Sequence, residues 1–117
     1  QIEKVRLIDE YDADDNASMS DNNTSSFNFR FVPHTTKISK HGKGMAIDIN
    51  TLYNPYTPRV NGKISVEPAN ATPYVDREQD FPHKIDHNDL CYKLFTEHGF
   101  TWGGDWINSK DYQHFEK

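Results

Sequence analysis

Four side chains in this sequence fall in two short strings whose residue types and spacing suit metal chemistry. In Ser39-Lys40-His41-Gly42-Lys43-Gly44-Met45-Ala46-Ile47-Asp48, two glycines let the chain fold back and bring the His41 imidazole over the face that bears Asp48. In Asp111-Tyr112-Gln113-His114-Phe115-Glu116, a carboxylate stands three residues before a histidine, a spacing that one helical turn places on one side. A catalytic zinc ion takes three nitrogen or oxygen ligands, keeps one position open for water, and works beside a carboxylate that can accept the water's proton. His41, Asp48, His114 and Asp111 meet that count. Spacing alone leaves a second reading standing, in which two unrelated surface histidines lie near acidic residues.

The elements that carry these residues are read from hydrophobic periodicity. Met45 to Asn50 alternates, with Met45, Ile47 and Ile49 on one face and Ala46, Asp48 and Asn50 on the other, so the polar face reads as the floor of a site. Phe27, Phe29 and Phe31 alternate with Asn28, Arg30 and Val32, which predicts a half-buried strand with the three Phe in the core and Arg30 facing elsewhere. Asp86, with Asp89 three residues later, predicts a helix start, and Leu90, Cys91, Leu94 and Phe95 recur at helical spacing until Gly99. Cys91 on that stripe reads as a buried, inert thiol. Phe100 to Trp102 and His114 to Glu116 read as short strands around a Gly103-Gly104 turn.

Gln1 to Tyr11 suits either a short strand or a turn of helix, and Asp9 to Ser26 is a loop by composition. Asp12, Asp14 and Asn16 in that loop lack the glycine and closing glutamate of a calcium loop. Thr51 to Pro82 holds five of the six prolines and reads as a long ordered loop with extended pieces such as Lys63 to Val66. The expected class is α+β, with a small antiparallel sheet, one main C-terminal helix and long loops.

The 117 residues suit one domain, and a hydrophobic fraction of 34% implies a small core. Thirteen Lys plus Arg against eighteen Asp plus Glu leave a net charge of −5 with no basic run, which excludes nucleic acid and anionic membranes as partners. No apolar stretch is long enough to span a bilayer. The single cysteine allows neither an internal disulfide nor a multi-cysteine zinc site, and no Gly-x-Ser-x-Gly elbow supports a serine hydrolase.

Three strings occur in order: Ser39-x-His41-x-x-Gly44-x-Ala46-x-Asp48, Gly99-Phe100-x-Trp102-Gly103-Gly104-Asp105-Trp106, and Asp111-x-x-His114-Phe115-Glu116. Together they resemble the M15 family of zinc peptidases, the D-alanyl-D-alanine carboxypeptidases and L-alanyl-D-glutamate endopeptidases of peptidoglycan. Asn22 to Arg30 and Ile49-Asn50-x-x-Tyr53-Asn54-Pro55-Tyr56 resemble a bacterial subgroup of that family. The likeness covers roughly residues 19 to 56 and 99 to 116.

The resemblance implies Zn2+ held by His41, Asp48 and His114, with Asp111 as the general base that takes a proton from water and returns it to the leaving amine. Glu116 is the competing candidate for the base, its other role being to orient His114. Arg30 resembles the family arginine that binds the substrate carbonyl or stabilises the oxyanion, against a plain surface arginine. Ser39 either contacts the substrate terminus or caps the glycine turn. Trp102 and Trp106 are expected to wall and support the pocket, and Asp105 either backs the site or caps the following turn.

The implied fold is of the hedgehog and D-Ala-D-Ala-peptidase type. It implies a single catalytic domain over residues 1–117 that lacks an N-terminal portion, since only about twenty residues precede the Asn-Thr-Ser stretch. The implied activity is hydrolysis of peptide bonds in peptidoglycan stem peptides, as carboxypeptidase or endopeptidase, by a monomer working in the periplasm, in the cell envelope or after secretion. Variable loops such as Thr57 to Lys84 select the bond. Two other classes stand beside it: a zinc-bearing binding domain without turnover, as in the amino-terminal signalling domain of hedgehog proteins, and a metal-free carbohydrate or protein binding module. Asp111 argues against the first, because a structural ion gains little from an unliganded carboxylate.

Overall fold

The computed structural model describes residues 1–32 and 34–117. The polar stretch expected to be loop up to Ser26 contains a helix, α1 (Asp15–Ser20), whose first turn is capped by the Asp14 carboxylate accepting the Ala17 N–H at 3.1 Å. Asp, Asn and Ser serve loops and helix starts for the same reason: their short oxygens satisfy free backbone N–H groups.

Strand β1 (Ala46–Asp48) follows the glycine turn. The proline-rich segment then forms β2 (Tyr56–Thr57), β3 (Arg59–Val60) and β4 (Lys63–Ile64). Helix α2 (Leu90–Glu97) leads to β5 (Thr101–Trp102), β6 (Lys110–Asp111) and β7 (His114–Glu116). These strands make three small antiparallel sheets, ordered β1-β7-β5, β2-β6 and β3-β4, so the single sheet expected is divided. The turn between Asp111 and His114 is a tight link from β6 to β7, not the helical turn expected.

Strand β7 lies between β1 and β5, and its alternation separates chemistry from packing. Phe115 points into the core with Ile49, Ile85 and Trp102, while His114 and Glu116 take the other face. The interior is unusually polar, which accounts for the low hydrophobic fraction. Asn22, Asn23, Thr24, Asn50, Thr51, Asn54 and Gln113 are all buried. Asn54 works as a hub: its Nδ2 donates to the carbonyls of Asn50 and His83, and its Oδ1 accepts from Ile85 N and Arg77 Nη2. Each such bond contributes about 1 kcal/mol net, and each lost partner costs about 1–3 kcal/mol, so this interior specifies one arrangement.

Two further expectations are corrected. Phe27, Phe29 and Phe31 are 60%, 60% and 51% exposed, and their segment forms no named strand; Phe31 makes one isolated bridge with Ile38. Their alternation reports extended backbone, but among the described residues no layer covers that side, and Phe27 and Phe29 line an apolar groove of about 730 Å³ with Ile2, Val5 and Leu7. In α2 the cap is Asp89, whose side chain accepts the Cys91 N–H, whereas Asp86 closes the preceding turn on Asn88 N. Leu90 and Leu94 face outward, and the half-buried Cys91, Tyr92 and Phe95 pack on the core. Burial pushes the Cys91 thiol up to about 11, as suits an inert side chain. Among the described residues, no helix is long and apolar enough to cross a membrane.

Candidate metal centre and active cleft

The β1–β7 register sets Asp48 directly opposite His114, so two residues far apart in the chain become a cross-strand pair. His41 arrives from a short 3-10 turn, His41–Lys43, closed by Gly44 in the left-handed region at φ 67°. Gly42 in this turn lies against the Arg30 backbone, and its N–H donates to Ser39 Oγ at 3.1 Å. His41 Nε2 is 3.2 Å from Asp48 Oδ2, His114 Nδ1 is 3.0 Å from Asp48 Oδ1, and the two ring nitrogens are 3.2 Å apart. All three residues are buried.

Their outer partners fix the tautomers. His41 Nδ1 lies 2.8 Å from the Ser26 carbonyl oxygen, which can only accept, so Nδ1 carries the hydrogen and Nε2 presents its lone pair in the neutral ring. His114 Nε2 lies 3.0 Å from Glu116 Oε1, so the same logic leaves the lone pair on Nδ1. Two imidazole lone pairs and a carboxylate therefore converge on one point. Three acceptors within 4.8 Å of one another need a cation, either protons or a metal ion.

The electrostatics of the metal-free cluster follow. Burial works against the Asp48 carboxylate, but hydrogen bonds and charge from His114 and His41 hold it well below the usual range. Burial also opposes a charged His114, yet Asp48, Asp111 and Glu116 raise its ring to about 9. His41 moves up for the same reason, with Asp48 outweighing its burial.

Asp111 completes the group. It sits opposite Tyr56 in the β2–β6 register and lines the cleft that holds the three ligand candidates, a cavity of about 430 Å³. Its Oδ1 is buried and has no hydrogen-bond partner among the described residues. Burial, then the charge of Asp48, raises the carboxyl to about 8. Gly103 explains its placement: a methyl group there would collide with the Asp111 carbonyl and come within 2.8 Å of the Asp111 Cβ, so only glycine lets the two segments close.

The link from Asp111 to His114 is held on every side. Trp102 Nε1 donates to the Tyr112 carbonyl at 2.9 Å, Tyr112 N donates to Pro55 O, Gln113 Nε2 donates to Asn54 O, and Ile49 N donates to Gln113 O. The Arg77 guanidinium lies over the Tyr112 ring at 4.4 Å and donates to Asn54 Oδ1. Burial lowers Arg77 to about 10, so it stays charged at neutral pH. Periodicity carries no signal for Asn54, Arg77 or Gln113, because their value lies in satisfying backbone groups from distant segments.

The remaining expected residues divide. Arg30 lines the cleft and pairs with Asp15 of α1, Nη1 to Oδ2 at 3.7 Å. Ser39 lines the cleft while its oxygen holds Gly42. Trp106 forms part of the wall, its ring 5.3 Å from that of His114, whereas Trp102 belongs to the core. Asp105 points away and accepts from His87 Nε2 at 2.6 Å. Asp15, Tyr56 and Glu67 also line the cleft, and of these only Tyr56 fell in a string that sequence comparison marked. The larger apolar groove beside Phe27 contains none of the four chemical groups.

Fold and site together define a small α+β protein with a buried centre of two histidines and one carboxylate that can hold a metal ion. The chain belongs to the M15 peptidases: the model of the D-alanyl-D-alanine carboxypeptidase family matches residues 33–117. No curated protein and no solved structure matches it. The matched span includes His41, Asp48, Asp111 and His114, while Arg30 and Asp15 lie before it.

Proposed function

We propose that this protein is a zinc-dependent peptidase that hydrolyses peptide bonds in the stem peptides of bacterial peptidoglycan, as a carboxypeptidase or endopeptidase. The observation that carries the reading is the convergence of His41 Nε2, His114 Nδ1 and the Asp48 carboxylate beside the unpartnered Asp111 oxygen. Two imidazoles and one carboxylate are a zinc donor set, and bonds near 2.0–2.1 Å to a tetrahedral ion place ligand atoms about 3.3 Å apart. His41 Nε2 and His114 Nδ1 are 3.2 Å apart, close to that spacing, and each faces one oxygen of the Asp48 carboxylate.

Zinc held by these residues supplies Lewis acidity, which acidifies water and polarises a carbonyl. Asp111 is the general base: it takes a proton from the attacking water at Oδ1 and delivers it to the leaving amine. Its Oδ1 is buried in the cleft beside the ligands without a hydrogen-bond partner among the described residues, as suits a group that must both accept and donate a proton. Glu116 is engaged with His114 Nε2 and serves to orient that ring. Arg30, which also lines the cleft, supports the substrate carbonyl and the developing oxyanion. Ser39 keeps Gly42 with its oxygen and offers its O–H to the substrate. Trp106 excludes water beside His114. A peptidoglycan substrate places this work outside the cytoplasmic membrane, and one chain supplies every residue named, so a monomer suffices.

Elemental analysis of the purified protein with His41→Ala alongside, followed by mass spectrometry of digested muropeptides, tests the reading. Near one zinc per chain, lost in the variant, with muropeptide cleavage, is the expected result. A chain without zinc after reconstitution refutes the metal centre, and a zinc-loaded chain that cleaves no muropeptide refutes the peptidase.

A further inference from the structure

We infer that His87 is a positioning residue for the active cleft, latching the Gly103–Asp105 turn through Asp105 and so fixing Asp111 and Trp106; the role it gives Asp111 rests on the peptidase reading. His87 precedes α2 and is not among the residues that line the cleft. Its Nε2–H donates to Asp105 Oδ1 at 2.6 Å, a short bond to a carboxylate. The ring is fixed edge-on between Tyr92, at 4.9 Å between centroids, and Trp102, at 5.4 Å. The donor is therefore aimed although the side chain is 63% exposed.

Two of the three contacts of His87, those to Asp105 and Trp102, lead to the segment that carries Asp111. Through Asp105 it closes the 3-10 turn Gly103–Asp105, whose Gly103 backs directly on Asp111. The Gly103 carbonyl accepts the N–H of Trp106, the wall residue beside His114, and the Gly104 carbonyl accepts Lys110 Nζ at 3.0 Å, next to Asp111 in β6. Through Trp102 it touches the indole whose Nε1–H holds the Tyr112 carbonyl between Asp111 and His114. One exposed side chain thus touches two supports of a buried base. An Asp105 used only to cap the following turn would need no aromatic cradle around its partner.

The test uses the zinc-loaded protein with His87→Ala, Asp105→Ala, the double variant and His87→Gln, whose amide can still donate. Each alanine variant is expected to lose about fivefold in kcat, the scale of one exposed hydrogen-bonded pair, with KM and zinc content unchanged. The double variant is expected to be no worse than either single one, and His87→Gln to recover part of the loss. Trp106 emission, isolated in each background by subtracting the spectrum of the same protein carrying Trp106→Phe, is expected to shift in both single variants. Losses that multiply in the double variant, or an unchanged kcat in an active enzyme, overturn the latch. If the wild type cleaves no muropeptide, the peptidase reading falls by itself; a coupled Trp106 shift then still supports the latch, and an unshifted emission overturns it.

Discussion

His114 and Glu116 stand two residues apart on one face of β7, and Nε2 of the first lies 3.0 Å from Oε1 of the second. This contact turns the ring so that Nδ1, not Nε2, meets Asp48 and His41. It is made by strand geometry alone, because alternate residues share a face.

Glu116→Gln follows from it. An amide Oε1 accepts the same hydrogen bond without the charge, so zinc is expected to bind about 10–100-fold more weakly, the usual effect of an outer partner, with turnover retained at saturating metal. Competition with a chromogenic chelator measures the first and peptide hydrolysis the second. Loss of turnover with unchanged zinc affinity transfers the base role from Asp111 to Glu116.

Asp111→Asn separates catalysis from stability. Turnover is expected to fall on the order of 10²–10⁴-fold with zinc retained, the scale of general acid–base catalysis. The metal-free variant is expected to melt at a higher temperature than the metal-free wild type at pH 8, because a neutral amide replaces a carboxyl whose ionisation burial opposes. Calorimetry on both chains in a chelating buffer checks this, and a lower melting temperature counts against the burial argument.

The metal-free protein has a predictable pH dependence. His114 in the fold titrates near 9 against an ordinary 6.5, so the stability it contributes is complete below about 6.5 and lost as the pH rises through 9. Asp111, raised to about 8 from 3.8, acts in the same sense, while the lowered Asp48 acts only in acid. The melting temperature of the chelated protein should therefore fall between about pH 6.5 and 9. Zinc competes with the His114 proton, so its apparent affinity should rise over the same range by up to about tenfold per pH unit and then level off. Thermal melts and metal titrations at pH 6, 7, 8 and 9 test both slopes.

Gly103→Ala tests the packing behind the base. The added methyl must push Asp111 away or open the turn, and the expected result is normal zinc content with turnover lowered at least tenfold, since small displacements of a catalytic group are costly. An enzyme with unchanged kcat would show that the Asp111 position tolerates movement.

Much of the candidate site was legible in the chain itself. His41 and Asp48 lie seven residues apart around a glycine turn and Asp111 and His114 lie three apart, spacings that by themselves also fit unrelated surface residues and gained their weight from the resemblance to the M15 family. The helix ending at Gly99 was legible too, apart from its start, whereas Cys91, expected to be buried, is half-buried on the side that packs on the core. The polar interior was not legible, because Asn54, Arg77 and Gln113 serve backbone groups from segments far away in sequence.

What the amino-acid order determined by itself was the inventory of groups and their local spacing: donors at His41, Asp48 and His114, a nearby carboxylate, and glycines where segments approach. Tertiary structure decided everything that depends on pairing. The antiparallel register set Asp48 against His114, and the Ser26 carbonyl with Glu116 chose which nitrogens face inward. Asp105 went to His87 and not to the cleft. Phe27, Phe29 and Phe31 kept their alternation but remained exposed, because a period of two records how a strand presents its side chains and carries no information about which side another layer will cover.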